Sequence, residues 1–236
     1  MVKGDGTLYS NRENFRAQKV LVAAKYSGKT VDLQEDFDIH SKEFLCKFPV
    51  GSVPGLEFQA PDGSTRCLSQ SHAIAYYVSN DDLKGGSSDL SRAQVLQWMC
   101  FADYELLPAV FNHVFPILEL LPKPTSELAA KNEHELFRLL GVVNSHLVSA
   151  TYLVDENVTL ADICVCCNLL MLFERGLLKE DRVQFPHLMR WFDTIINQKK
   201  VKEVIGEVKL CQKLMPLSKE EVAISTLKQG LLQPSE

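Results

Sequence analysis

Long hydrophobic runs, basic blocks, paired cysteines and an apolar leader are what this 236-residue chain lacks, and each lack removes a class of function. The longest apolar stretch, Ile163 to Phe173, is broken by Asn168. It falls short of the ~20 residues that cross a bilayer, so no membrane span is expected. The opening residues, Met1 to Gly6, hold no signal-peptide core, which places the chain in the cytoplasm as an expectation. Lys and Arg number 25 against 30 Asp and Glu, a net charge of −5. With no Lys/Arg-rich block to displace counterions from phosphates, direct nucleic-acid binding is not expected. The seven cysteines are odd in number, and Cys164, Cys166 and Cys167 fall inside an apolar helical pattern rather than at C-x-x-C spacing. They read as small core residues of a reducing compartment. No His pair shares a helical face with a carboxylate at ligand spacing, so no metal site is expected. Disorder is a poor fit, because 46% of the residues are hydrophobic and only 23% charged.

What is present is a change of periodicity along the chain. A strand at Thr7–Tyr9 leads into a helix from about Glu13 to Ser27, where Ala17, Val20, Leu21 and Ala24 recur at i, i+3, i+4, i+7 and Ser27-Gly28 supplies the stop. A second strand is expected at Thr30–Leu33, then an acidic irregular stretch, then a helical turn through Phe44, Leu45 and Phe48 that Pro49 closes. Gly55–Phe58 and Arg66–Ser69 flank the turn signal Pro61-Asp62-Gly63 and predict a hairpin, followed by a helix over Ser71–Val78. The order βαβ then ββα is that of a thioredoxin-like α/β domain, expected over 1–80. Residues 81–90, with Gly85-Gly86 and almost no apolar content, read as a linker. From 91 to 215 the pattern is all-helical, with breaks expected at Pro108 and Pro116, and 216–236 form a tail. Leu136, Leu139, Leu140, Val143 and Leu147 make one core stripe. Thr159 and Asp162 have the spacing of a capping box ahead of the apolar helix from Ile163, where loss of the Thr oxygen costs about 1 kcal/mol.

Two short motifs carry chemistry. Val53-Pro54 opens a strand. It reads either as an ordinary strand-initiating proline or as a cis bond that turns the Val53 N–H and C=O outward to an extended peptide ligand. Gln70-Ser71 stands where the hairpin ends and a helix begins, and the first N–H groups of that helix favour a ligand carboxylate. Ser71 reads as the N-cap or as a hydrogen-bond donor to that carboxylate, and Gln70 as a partner for an ammonium or a carboxylate. Together the two motifs suit a short peptide with an amino-acid-like end.

The layout, with Val53-Pro54, Gln70-Ser71, a polar linker and an all-helical half containing Thr159-Leu160-Ala161-Asp162, resembles the cytosolic glutathione transferase superfamily. Further runs are more specific: Leu8-Tyr9, Lys47-Phe48-Pro49, Ala73 to Asn80, Gln97-Trp98, Phe101-Ala102-Asp103, Val158 to Ile163, Arg190-Trp191-Phe192, Ile196-Asn197-Gln198 and Gly206 to Cys211. They are similar to the amino-terminal domains of the gamma subunits of the eukaryotic translation elongation factor 1 complex, up to about Leu214.

That resemblance implies a glutathione-transferase fold, an α/β thioredoxin-like domain plus an all-α domain. It implies a non-catalytic scaffold that anchors the nucleotide-exchange subunit of the elongation factor 1 complex and requires no cofactor. It also implies self-association as a homodimer, and contacts with aminoacyl-tRNA synthetases, because animal valyl-tRNA synthetases carry a similar domain. The competing expectation is a glutathione-dependent transferase or peroxidase, with glutathione held at Val53, Pro54, Gln70 and Ser71. Such chemistry needs a hydroxyl beside the glutathione thiolate, and Tyr9 and Ser10 are the available ones. Tyr9 reads equally well as a ring packed in the core. Ser52 stands where related sequences often carry a Lys, and the longer members continue through a Lys-rich linker into a second domain.

Overall fold

The structure, a computed structural model, describes residues 4–218. It divides into two units, one ending at Leu83 and one starting at Lys84. Residues 82–84 form a short 3-10 turn, and the next helix begins at Asp89.

The first unit runs β1 (Gly6–Tyr9), α1 (Phe15–Tyr26), β2 (Val31–Gln34), α2 (Lys42–Lys47), β3 (Gly55–Gln59), β4 (Thr65–Ser69) and α3 (Ser71–Val78). Its sheet has the order β2-β1-β3-β4, with β1 parallel to β2 and antiparallel to β3. Leu8 stands opposite Leu33 on one side and Leu56 on the other, and Leu8 and Leu56 are fully buried at the sheet centre. Helix α1 starts because the Asn14 side chain accepts from the Arg16 N–H, and it stops at Ser27, ahead of Gly28 at φ 69°. Its buried face differs slightly from the expected stripe. Val22 and Ala23 join Ala17, Val20 and Ala24 inside, while Leu21 is half-buried. That face packs on α3, which buries Ile74, Ala75 and Val78.

The second unit comprises α4 (Asp89–Phe101), α5 (Leu107–Ile117), α6 (Ser126–His146), α7 (Leu160–Met171), α8 (Lys179–Arg182), α9 (Pro186–Ile196) and α10 (Lys199–Ile205). Pro108 does not break the helix as expected. A π turn over Ala102–Leu106 joins α4 to α5 in continuous helical backbone, and Pro108 follows that turn directly. Asn168, an apparent flaw in an apolar run, serves this turn, donating from Nδ2 to the Ala102 carbonyl at 2.7 Å and to Asp103 Oδ1 at 3.0 Å. A second π turn, Leu172–Gly176, ends α7. The stripe Leu136, Leu139, Leu140, Val143 and Leu147 is buried throughout.

Asp162 is the polar centre of this unit. Its Oδ2 accepts from the Thr159 N–H at 2.9 Å and from the Thr159 hydroxyl at 3.1 Å. Its Oδ1 accepts from the Leu153 N–H at 2.9 Å and from Trp191 Nε1–H at 2.8 Å. The carboxylate at the start of α7 is thereby bonded to a loop and to α9. Burial pushes its pKa up, against four donors that favour the charged form. Cys211, at the end of the run from Gly206, is buried, and its N–H donates to the carbonyl of Phe173, in the π turn after α7, at 2.7 Å. The buried Arg182 donates to the carbonyls of Leu177 at 2.6 Å and Cys211 at 2.9 Å.

Candidate functional site

Strand register decides which sequence motifs meet. Gly55, the first residue of β3, pairs with Tyr9, the last of β1, and with Ser69, the last of β4. The segments that follow or precede these residues are Ser10 after β1, Val53-Pro54 before β3 and Gln70-Ser71 after β4. All six expected site residues therefore collect at one end of three neighbouring strands. The Val53-Pro54 bond is cis. Gly55 has a local reason to be glycine, since a Cβ there would come within 2.6 Å of the Phe48 ring.

At the β4–α3 junction Gln70 holds φ 73° and ψ 116°, a conformation rare outside glycine that costs on the order of 1–3 kcal/mol. It occupies the N-cap position, so the cap role expected for Ser71 is not the one it has; Ser71 is the first helical residue and is buried. No side chain caps α3, whose first backbone bond is from the Ile74 N–H to the Gln70 carbonyl at 3.0 Å. The N–H groups of that first turn are thus placed for an anion such as a ligand carboxylate.

The two candidate hydroxyls differ: that of Tyr9 is engaged by other side chains, and that of Ser10 is buried. Tyr9 Oη donates to Glu57 Oε2 at 2.8 Å and accepts from Lys47 Nζ at 3.1 Å. Lys47 also reaches Glu57 at 3.0 Å and Glu43 at 3.2 Å. Burial pushes the Tyr9 phenol above its ordinary value; the Glu57 carboxylate reinforces this while Lys47 opposes it. Burial works to raise Glu57 and to lower Lys47, but the hydrogen bonds within the triad win, so Glu57 lies below and Lys47 above the ordinary value. The Tyr9 ring itself sits among Phe37, Phe44 and Phe48, with centroids 5.5, 6.0 and 5.6 Å away. Ser10 is 1% exposed, and its Oγ is buried without a hydrogen-bond partner. Asn11 Oδ1 and Asn14 Nδ2, in the same turn, are buried and unpartnered as well.

Sequence reasoning missed Lys47 and Glu57 as members of this site. The signal for Glu57 was available in the register: it pairs with Thr7, two residues from Tyr9, so a diagonal contact on one face of the sheet was open to it. Among the described residues no group of three His, Cys, Asp or Glu side chains could hold a metal ion, and no helix is long and apolar enough to cross a membrane.

Two domain families match the chain: Glutathione S-transferase, N-terminal domain, over residues 4–80, and Glutathione S-transferase, C-terminal domain, over residues 97–199. Elongation factor 1-gamma of Artemia salina is 45% identical over 212 residues, which is 88% of this chain and 48% of that protein. The Drosophila melanogaster protein of the same name is 43% identical over 240 residues, covering 100% of this chain and 54% of its own. The chain thus spans about half the length of these relatives. Among solved structures, the GST-like domain of elongation factor 1-gamma from Saccharomyces cerevisiae has a TM-score of 0.76 at 26% identity, covering 91% of this chain and 99% of that one. The glutathione transferase URE2P6 from Phanerochaete chrysosporium, solved with oxidized glutathione, has a TM-score of 0.74 at 21% identity over 86% of this chain and 95% of its own, a likeness of fold.

Proposed function

The chain belongs to the glutathione S-transferase family, and we propose that within it the chain is an assembly module of the translation elongation factor 1 complex rather than a transferase. In this reading it works in the cytoplasm, self-associates, and anchors the nucleotide-exchange subunit, which carries out the chemistry. Its likeness to elongation factor 1-gamma over most of its length supports the complex. The observation that carries the non-catalytic part is the Tyr9–Glu57 hydrogen bond of 2.8 Å. A phenol that donates its proton to a carboxylate has none to offer a thiolate, and the buried Ser10 Oγ offers no replacement at the surface. The test has two arms. The purified chain should retain the amino-terminal region of the exchange subunit in a pull-down, and it should not turn over a chlorinated aromatic acceptor with glutathione. Turnover lost on Tyr9→Phe or Ser10→Ala would establish the transferase reading instead.

A second reading concerns binding alone and rests on Gln70 and the uncapped start of α3. Here the Val53 backbone takes the peptide part of glutathione as an added strand, Pro54 lines that position, and Gln70 and Ser71 meet a carboxylate end. Glutathione is then a ligand without being a substrate. Calorimetry of glutathione into the native chain and into Ser71→Ala tests it, and equal heats for both would dismiss it.

A further inference from the structure

Helix α1 carries a charge into the interior of the first unit. Lys19 is 0% exposed, the rarest setting for a lysine. Its Nζ lies 5.7 Å from the centroid of the Phe15 ring and 3.2 Å from Nε2 of His72, the second residue of α3. An ammonium can only donate, so Nε2 is the acceptor and the proton of the neutral ring sits on Nδ1. A bond of this polarity exists only while the imidazole is neutral. Protonation of Nε2 sets donor against donor, and two positive charges, at 3.2 Å.

Within the first unit α1, β4 and β3 pack on α3. From α1, Arg16 lies over the Phe15 ring at 4.8 Å, one turn before Lys19, and Lys25 and Tyr26 follow two turns after it. From β4, Arg66 pairs with Asp62 at 3.5 Å, and Cys67 stands opposite Glu57. From β3, Glu57 is held by Tyr9 and Lys47. On α3 itself Tyr76 is exposed one turn beyond His72. The charge set against Nε2 at bonding distance is that of Lys19.

We propose that Lys19 and His72 form an acid-sensitive latch between α1 and α3, closed while the imidazole is neutral and opened when it takes a second proton. Position gives the latch its reach: His72 follows Gln70 and Ser71, so opening loosens the first turn of α3 at the candidate site. The proposal goes beyond both readings of function, and its test contains no glutathione and no partner, so the failure of either reading leaves it standing. His72 should titrate about one unit below the ordinary ~6.5, because a neighbouring ammonium disfavours its charged form. Its contribution to the closed turn is then fully present above ~6.5 and is lost as pH falls through the folded value. The native chain, labelled with nitrogen-15, is followed by long-range proton–nitrogen correlation of its six imidazoles from about pH 8 to about pH 5, the range in which histidine titrates. His72 is identified by the signals lost in His72→Gln. At the alkaline end it should show a bare Nε2 and a protonated Nδ1. Amide exchange in α3, corrected for its intrinsic pH dependence, should show protection of Ile74, which bonds to the Gln70 carbonyl, falling by up to about tenfold on acidification, the factor equal to one unit. His72→Gln keeps an acceptor and cannot titrate, so its protection should not fall in this way. Lys19→Met should return the His72 midpoint towards the ordinary value; if that variant does not fold, the native chain and His72→Gln decide the matter. The proposal is overturned if Nδ1 is the bare nitrogen, if His72 titrates at or above ~6.5, or if a folded Lys19→Met leaves its midpoint unchanged. It is overturned equally if α3 protection depends on pH to the same extent in the native chain and in His72→Gln.

Discussion

The Tyr9 hydroxyl donates to the Glu57 carboxylate at 2.8 Å, across the β1–β3 pair. The bond is charge-assisted and half-buried, so breaking it costs about 1–2 kcal/mol. Tyr9→Phe should lower the urea unfolding free energy by that amount and leave conjugation of glutathione to a chlorinated aromatic at the background rate. A fall in turnover without a fall in stability would reverse the assignment of this tyrosine.

The same triad gives the fold a pH dependence of defined sign. Glu57 has a folded pKa below the 4.5 of an ordinary glutamate, so its contribution to stability is fully present above that value and is lost as pH falls through the folded pKa. Lys47 has a folded pKa above its ordinary 10.5. Its contribution is therefore present below 10.5 and disappears as pH rises through the folded value. Urea midpoints measured from pH 7 downward should fall in the acid range, and Glu57→Gln should flatten that limb. An unchanged limb in the variant would remove Glu57 from the account.

Asp162 and Thr159 should not be equivalent, although a capping box treats them as partners. Asp162→Ala leaves four donors facing nothing and should cost about 3–5 kcal/mol, near the upper end for single substitutions. Thr159→Ala removes one hydroxyl and should cost about 1 kcal/mol. Chemical denaturation of both variants checks the ratio, and equal losses would mean that Leu153 and Trp191 gain little from the carboxylate.

Gln70 keeps a backbone conformation that glycine adopts at lower cost. Gln70→Gly should raise stability by about 0.5–1.5 kcal/mol, because relief of the strained φ outweighs the extra freedom of the unfolded chain. If the second reading of the site is right, the same variant should bind glutathione more weakly by calorimetry. Stabilisation with unchanged binding would make the strain irrelevant to a ligand.

Much of this site was legible before the structure because the strand and turn signals are strong. The strand at Thr7–Tyr9, the turn at Pro61-Asp62-Gly63 and the proline just ahead of β3 place Tyr9, Val53 and Gln70 at the ends of neighbouring strands. The partners of Tyr9 were less so, since Glu57 meets it diagonally and Lys47 arrives from α2, a contact that no local period encodes. Of the two roles the sequence offers Ser71, N-cap or donor to a ligand carboxylate, the first is excluded because Gln70, at positive φ, holds the cap position, a tertiary choice against propensity. The π turns at Ala102–Leu106 and Leu172–Gly176 have no periodic signature. Pro108 therefore reads as a break and Asn168 as a flaw, when one follows a π turn inside continuous helix and the other serves that turn.

The most direct test of the central claim is calorimetric titration of the exchange subunit's amino-terminal region into the purified chain, with Tyr9→Phe titrated in parallel. An assembly module predicts saturable binding at a fixed stoichiometry, with the same affinity for the variant because the Tyr9 hydroxyl serves the fold rather than a reaction. No heat of binding to the native, folded chain would contradict the account.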